Sequence, residues 1–167
     1  MTSATSAPVQ EGTQQVCSLR LGETLFAVPI ARVLEILGKP AIQPVPLAPD
    51  FVGGLVHYRG EVLTAISLRR LLGMEPTPSP GDVLVFESAQ GPFGLVVDSV
   101  GEVLSVSAAE HEPNPSTLDS RWQALLAGAW KRADRLLVAL DSERLEPHRL
   151  ATSLADAGKG SLAGAGE

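Results

Sequence analysis

Short apolar runs broken by turn residues fill this chain, and none of its helical segments is long enough to cover a broad sheet. "VCSLRLG" and "TLFAV" flank Gly22-Glu23, and "LVHY" and "EVLTAI" flank Arg59-Gly60. "DVLVFES" and "FGLVVD" flank "AQGP", where Gly91 and Pro92 supply the turn. "GEVLSVS" adds a strand, and "GAWKR" and "RLLVAL" flank Ala133-Asp134. Alternation and turn chemistry together give about nine or ten strands. "PIARVLEILG" predicts a helix with Pro29 in its first turn and Gly38 beyond its end, since Ile30, Val33, Leu34 and Leu37 follow a helical spacing. Its β-branched residues leave the second half open to a strand. "SLRRLLG" predicts a short helix capped by Ser67 and stopped at Gly73, and "DSERL" one further turn. Sheets without long helices to cover them must cover themselves, so the expected fold is all-β with short helices, its sheets curled into small barrels.

Composition decides what such barrels do not do. The chain is 44% hydrophobic and 19% charged, in the range of a globular protein. Its formal net charge of -6 gives no cationic surface for a phosphate backbone, and 4% aromatic residues supply no base-stacking platform. The opening "MTSATSAPVQEGTQQ" has neither the basic start nor the apolar centre of a secretory leader, and no apolar run approaches a membrane span, so a cytoplasmic protein is expected. Residues 1–13 and the Ala/Gly-rich 150–167 read as flexible tails around a folded unit at 14–149.

Motifs that carry chemistry are missing from the sequence. Cys17 is the one cysteine, so neither an internal disulfide nor a cysteine-based zinc site is available. His57, His111 and His148 have no metal-ligand spacing. There is no phosphate-cradling Gly-Lys-Ser/Thr loop and no Gly-x-Ser-x-Gly elbow. Asp98, after "FGLVV", reads as a strand-ending cap rather than a catalytic acid. No catalytic residue, metal or cofactor is expected. Gly-Glu precedes an apolar strand at Gly22, Gly60 and Gly101, and turn chemistry accounts for the recurrence without a duplication.

The hairpin at "HYRGEV" is the exception to this plainness. A two-residue loop at Arg59-Gly60 puts Val56, Tyr58, Glu61, Leu63 and Ala65 on one face, and Leu55, His57, Val62, Thr64 and Ile66 on the other. Neither face is polar, so one makes core and the other meets a second layer or another protein. Gly60 suits the positive φ that the second turn position requires. Arg59 does not suit type I′, which asks for positive φ at the first position too, so type II is expected. Turn chemistry therefore leaves the arginine open between a solvated tip and a guanidinium aimed at a carboxylate, its own or a partner's.

The motif order from Leu19 to about Leu145 resembles the CheW-like domain of bacterial chemotaxis coupling proteins. "LRLGETLFAVPIARVLEIL" is similar to the family's opening hairpin and Val-x-Glu-Ile segment. "PLAPDFVGGLVHYRGEVLTAISLRRLLG" resembles its Arg-Gly hairpin and the helix after it. "VLVFESAQGPFGLVVDSVGEVLSV" resembles its paired strands ending in Val-Asp-x-Val. The resemblance implies two packed, SH3-like, five-stranded barrels and a non-catalytic adaptor recruited to membrane receptor arrays. Its partners would be a chemoreceptor's cytoplasmic tip, held in a groove between the barrels, and the regulatory domain of a CheA-type histidine kinase. Carried over by motif, Val33, Glu35 and Arg59 belong to the receptor groove, and Gly54, Gly60 and Gly94 are structural. Val56 and Leu63 are the candidates for the kinase-facing surface. Ser67 stands where the family usually has aspartate, and "VHYRG" where Asn-Leu-Arg-Gly is common, so His57 and Tyr58 mark where partner choice would differ. Alongside this reading stand an adaptor of a non-flagellar pathway (surface motility or second-messenger control) and, more distantly, a small ligand-binding barrel or hydrolase.

Overall fold

The computed structural model describes residues 12–152. The segments expected as tails, 1–13 and 150–167, lie almost wholly outside the described residues, although Thr13 belongs to the first strand and Leu150 is buried. Eleven strands run in chain order as β1 (Thr13–Leu21), β2 (Thr24–Pro29), β3 (Val33–Leu37), β4 (Val52–Tyr58), β5 (Glu61–Ser67), β6 (Asp82–Phe86), β7 (Phe93–Val97), β8 (Ser99–Ser107), β9 (His111–Glu112), β10 (Leu126–Lys131) and β11 (Leu136–Leu140). Two short α-helices, α1 (Leu68–Leu71) and α2 (Ser120–Leu125), single 3₁₀ turns and a helical turn at 147–152 accompany them.

The strands form two sheets. One has the order β8-β1-β2-β11-β10-β9 and the other β3-β6-β7-β5-β4. Each sheet buries both faces, because its strands carry apolar residues at consecutive positions. In the first, Val16, Ala27, Trp130 and Leu137 make an interior of their own. In the second, Val56, Ala65 and Val83 do the same, with Leu37 and Ile42 packed against them. The opposite faces supply a common layer in which Leu19, Phe26 and Val28 cluster with Leu84, Phe86 and Leu95. Two curled sheets around a shared core is the architecture that the resemblance implies, with the short strand β9 added to the first.

Two local readings change. The helix expected over "PIARVLEILG" is only a 3₁₀ turn at Ile30–Arg32, after which β3 pairs with β6. Cross-strand pairing and β-branched side chains prevail over the helical spacing there. The helix α2 was not expected. Asp119 caps it by accepting the Arg121 amide at 2.7 Å, and Trp122 donates from its indole to the Leu72 carbonyl at 3.2 Å. The cap expected at Ser67 forms, its hydroxyl accepting the Arg70 amide at 3.3 Å.

Asp98 joins the two sheets at the edge of the shared layer. Its carboxylate accepts Arg69 Nε at 2.8 Å and Nη2 at 2.6 Å, a two-point pair with a residue of α1. It also accepts the Gly22 amide of the β1–β2 turn at 2.8 Å. Arg69 first, then the Gly22 amide, hold the Asp98 carboxyl below the usual carboxylate range, against partial burial that pushes the other way. A folded-state value below the unfolded one stabilises the fold at neutral pH, and that contribution is lost as pH falls through the folded value. Asp98→Asn is therefore expected to destabilise the protein by about 1–3 kcal/mol at neutral pH. The gap to the unaltered chain should narrow in acid. Urea unfolding of both proteins at about pH 7 and about pH 3 checks this.

Candidate functional site

The β4–β5 hairpin has the expected register, with Tyr58 opposite Glu61, His57 opposite Val62 and Val56 opposite Leu63. Its turn is not the expected type II. Arg59 has φ +50° and Gly60 φ +81°, so both central residues are left-handed, as in type I′. The I′ twist matches that of the strands it joins, and this outweighs the steric cost of a left-handed arginine.

That backbone sends the Arg59 side chain to β3. Nη2 and Nε donate to the same oxygen, Glu35 Oε1, at 3.1 Å and 3.3 Å. The guanidinium carbon also lies 5.5 Å from the centre of the Tyr58 ring. The Glu35 hydrogen bond, followed by the charge interactions, pushes the Arg59 guanidinium above its ordinary value, so it stays cationic. β3 and β4 are the two ends of their sheet's strand order. The pair therefore spans the seam at which the sheet curls towards closure, and it does so in the open, with side chains 73% and 37% exposed.

The remaining candidates separate into core and surface. Val56 and Leu63 are 1% and 3% exposed. Val56 belongs to the barrel interior, and Leu63 is equally buried although it lines a cavity with Val62 and Thr64; neither presents the exposed face expected of a kinase-facing surface. The outward positions of the hairpin are His57 and Val62, the latter 55% exposed. Val33 is half-buried against the shared core. A bulge between Val33 and Glu35 exposes Leu34 instead. Gly54, at φ +148°, lies so close to the Gln43 carbonyl that any side chain would collide with it. A side chain at Gly94 would strike Val83 inside the barrel.

Near this Glu35–Arg59 latch in the chain lies a groove between the sheets, whose lining includes Leu34 and Val62 but neither Glu35 nor Arg59. A cavity of about 580 Å³ is lined by Arg32 and Leu34 on one side and Glu143, Glu146 and Arg149 on the other. A second, of about 360 Å³, continues past Val62 and Thr64. Both include Ser88, Phe93 and Glu146, so they form one trough. Sequence reasoning missed its far wall, the segment after β11, because nothing in "DSERLEPHR" signals which surface it will face. Among the described residues, no three His, Cys, Asp or Glu side chains are grouped to hold a metal ion. Nor is any helix there long and apolar enough to cross a membrane. His111 sets its ring edge-on to Trp130 and bonds the Ala127 carbonyl at 2.7 Å.

Comparison with known proteins gives consistent matches. The family model of the CheW-like domain matches residues 15–148. The chain is 31% identical over 135 residues to the chemotaxis protein CheW of Rhizobium meliloti, covering 78% of this chain and 87% of that protein. It is 30% identical over 115 residues to protein FrzA of Myxococcus xanthus, covering 68% of this chain and 72% of that protein. The crystal structure of the scaffolding protein TtCheW from Thermoanaerobacter tengcongensis aligns with a TM-score of 0.68 at 25% identity, over 77% of this chain and 88% of that one.

The turn geometry makes its own prediction. Asparagine tolerates a left-handed φ better than arginine does. Arg59→Asn should therefore leave the thermal midpoint unchanged or raise it, although the ion pair is lost. Thermal unfolding followed by circular dichroism checks this, and a clear fall in midpoint would mean that the latch outweighs the strain.

Proposed function

The chain belongs to the family of CheW-like domains, and from that premise we propose that it is a non-catalytic adaptor that couples chemoreceptors to a CheA-type histidine kinase. The observation that carries the reading is the match of the family model over residues 15–148. In this reading the protein takes no part in chemistry. It holds two partners together, and its output is the kinase activity that the receptor controls. Each contact can be weak, because an array of linked contacts is far stronger than any one of them. The adaptor reaches the membrane through its receptor.

We assign the receptor tip to the trough between the sheets, beside Glu35 and Arg59. Three features support the assignment. The guanidinium is exposed, the exposed Leu34 and Val62, close in the chain to Glu35 and Arg59, line the trough, and Phe93 closes its floor. A helix packs well onto an apolar strip with a charged rim. His57 and Tyr58 flank the latch and are assigned to partner choice. An adaptor of a non-flagellar pathway stands as the second reading, because protein FrzA is nearly as similar to this chain as a relative named for chemotaxis.

Co-purification with the kinase and receptor encoded nearby tests the class. A chain that captures neither is not a coupling protein. Arg59→Glu is expected to weaken capture of a receptor fragment on the order of tenfold while the circular dichroism spectrum stays native. Exchanging the charges, Glu35→Arg with Arg59→Glu, should recover part of that loss. A double-mutant cycle in receptor affinity measures the coupling, and a value of zero would mean that the two residues act independently.

A further inference from the structure

The trough carries charge that no contact among the described residues uses. Glu87, on the β6–β7 turn, and Glu146, in the segment after β11, both line the larger cavity. Neither carboxylate has a hydrogen-bond or ion-pair partner among the described residues. Arg32, next to Glu87 at the end of the β3–β6 pairing, is already held by Glu143 at 3.2 Å and lies 3.4 Å from the Ser142 hydroxyl. Arg149, on the helical turn at 147–152, is the one further cation lining the cavity. Two unpaired carboxylates thus face a floor made by Leu34 and Phe93, with one guanidinium near them. A stripe of apolar side chains fits that floor. A carboxylate beside such a floor attracts a cation on the segment that occupies it.

We infer that Glu87 and Glu146 form an acidic wall that selects, as occupant of the trough, a helix whose apolar stripe is flanked by lysine or arginine. This rests on the trough being the receptor site and adds the chemistry by which that site chooses. The wall brings together the β6–β7 turn of one sheet and the segment that follows the last strand of the other. The choice of partner therefore depends on both sheets, and not on the Arg59 hairpin alone. The acidic wall also works by exclusion: a segment with an acidic flank would meet like charge.

The test is titration calorimetry of the full chain against a soluble cytoplasmic hairpin fragment of the chemoreceptor encoded nearest to it, at low and high salt. Glu87→Lys with Glu146→Lys should lower affinity on the order of tenfold at low salt. The deficit should shrink as salt screens the wall, with the thermal midpoint unchanged. Leu34→Ala should lower affinity equally at both salt levels. If the double variant binds as the unaltered chain does while Leu34→Ala binds more weakly, the trough is the receptor site and the acidic wall is not what it reads, which overturns the inference. If neither set of changes alters affinity, the assignment of the trough itself fails. Should the double variant not fold, Glu87→Lys alone, on an exposed turn, carries the same expectation at smaller size, and an unchanged affinity there overturns the inference equally.

Discussion

The apolar layer that the two sheets share sets the terms for everything else in the molecule. Leu19, Phe26 and Val28 on one side and Leu84, Phe86 and Leu95 on the other are all fully or almost fully buried. Alternate residues of these strands, Val16 and Ala27 or Val83, are buried as well, as is Ala65 of the neighbouring β5. A flat sheet between two such faces would need a covering layer on each side, and the helices are too short to supply one. Curling lets each sheet cover one of its faces itself and leaves the other for its neighbour. At the margin of the layer, where α1 and the β1–β2 turn come together, the Asp98 carboxylate collects three donors from both sheets. Burial supplies the driving force, and this pair fixes how one sheet sits on the other.

The two sheets solve the closure problem in the same way. Setting β9 aside, each reads as antiparallel, antiparallel, parallel, antiparallel in its order of neighbours. In each, the last hairpin carries an arginine at its turn that reaches the first strand in that order. Arg59 of the β4–β5 hairpin reaches Glu35 on β3. Arg132 of the β10–β11 hairpin donates to the Ser105 carbonyl on β8 at 2.8 Å and lies 3.5 Å from Glu110. A curled sheet leaves two edge strands facing one another, and a long cationic side chain from a hairpin tip spans that gap without continuous backbone pairing.

Much of this fold was legible because strands and tight turns are local. Every hairpin read from its turn residues forms, and the register at Arg59-Gly60 follows from counting residues. What was not legible depended on distant partners. The helical spacing of Ile30, Val33, Leu34 and Leu37 gave way because β6 was available to pair with β3. Val56 and Leu63 were assigned outward because a hairpin's two faces look alike until the curl of the sheet decides which is enclosed. At the site, Glu35 and Arg59 were found through motif resemblance, since turn chemistry alone argued against an arginine there. Glu87 and Glu146 lie 59 positions apart in the chain, and no local pattern links them.

The difference between the two hairpin arginines bears on what the site is for. Arg132 is 30% exposed and holds a backbone carbonyl as well as a carboxylate. Arg59 is 73% exposed and shares a single oxygen of Glu35. Exposed ion pairs of this kind add little to stability, and this one is reached through a left-handed backbone that arginine does not favour. If stability alone governed the turn, asparagine or glycine would serve it better. A left-handed arginine that holds an exposed charge at a fixed place accords with the recognition surface proposed above. In that proposal the charge is positioned before a partner arrives, so little ordering remains to oppose binding.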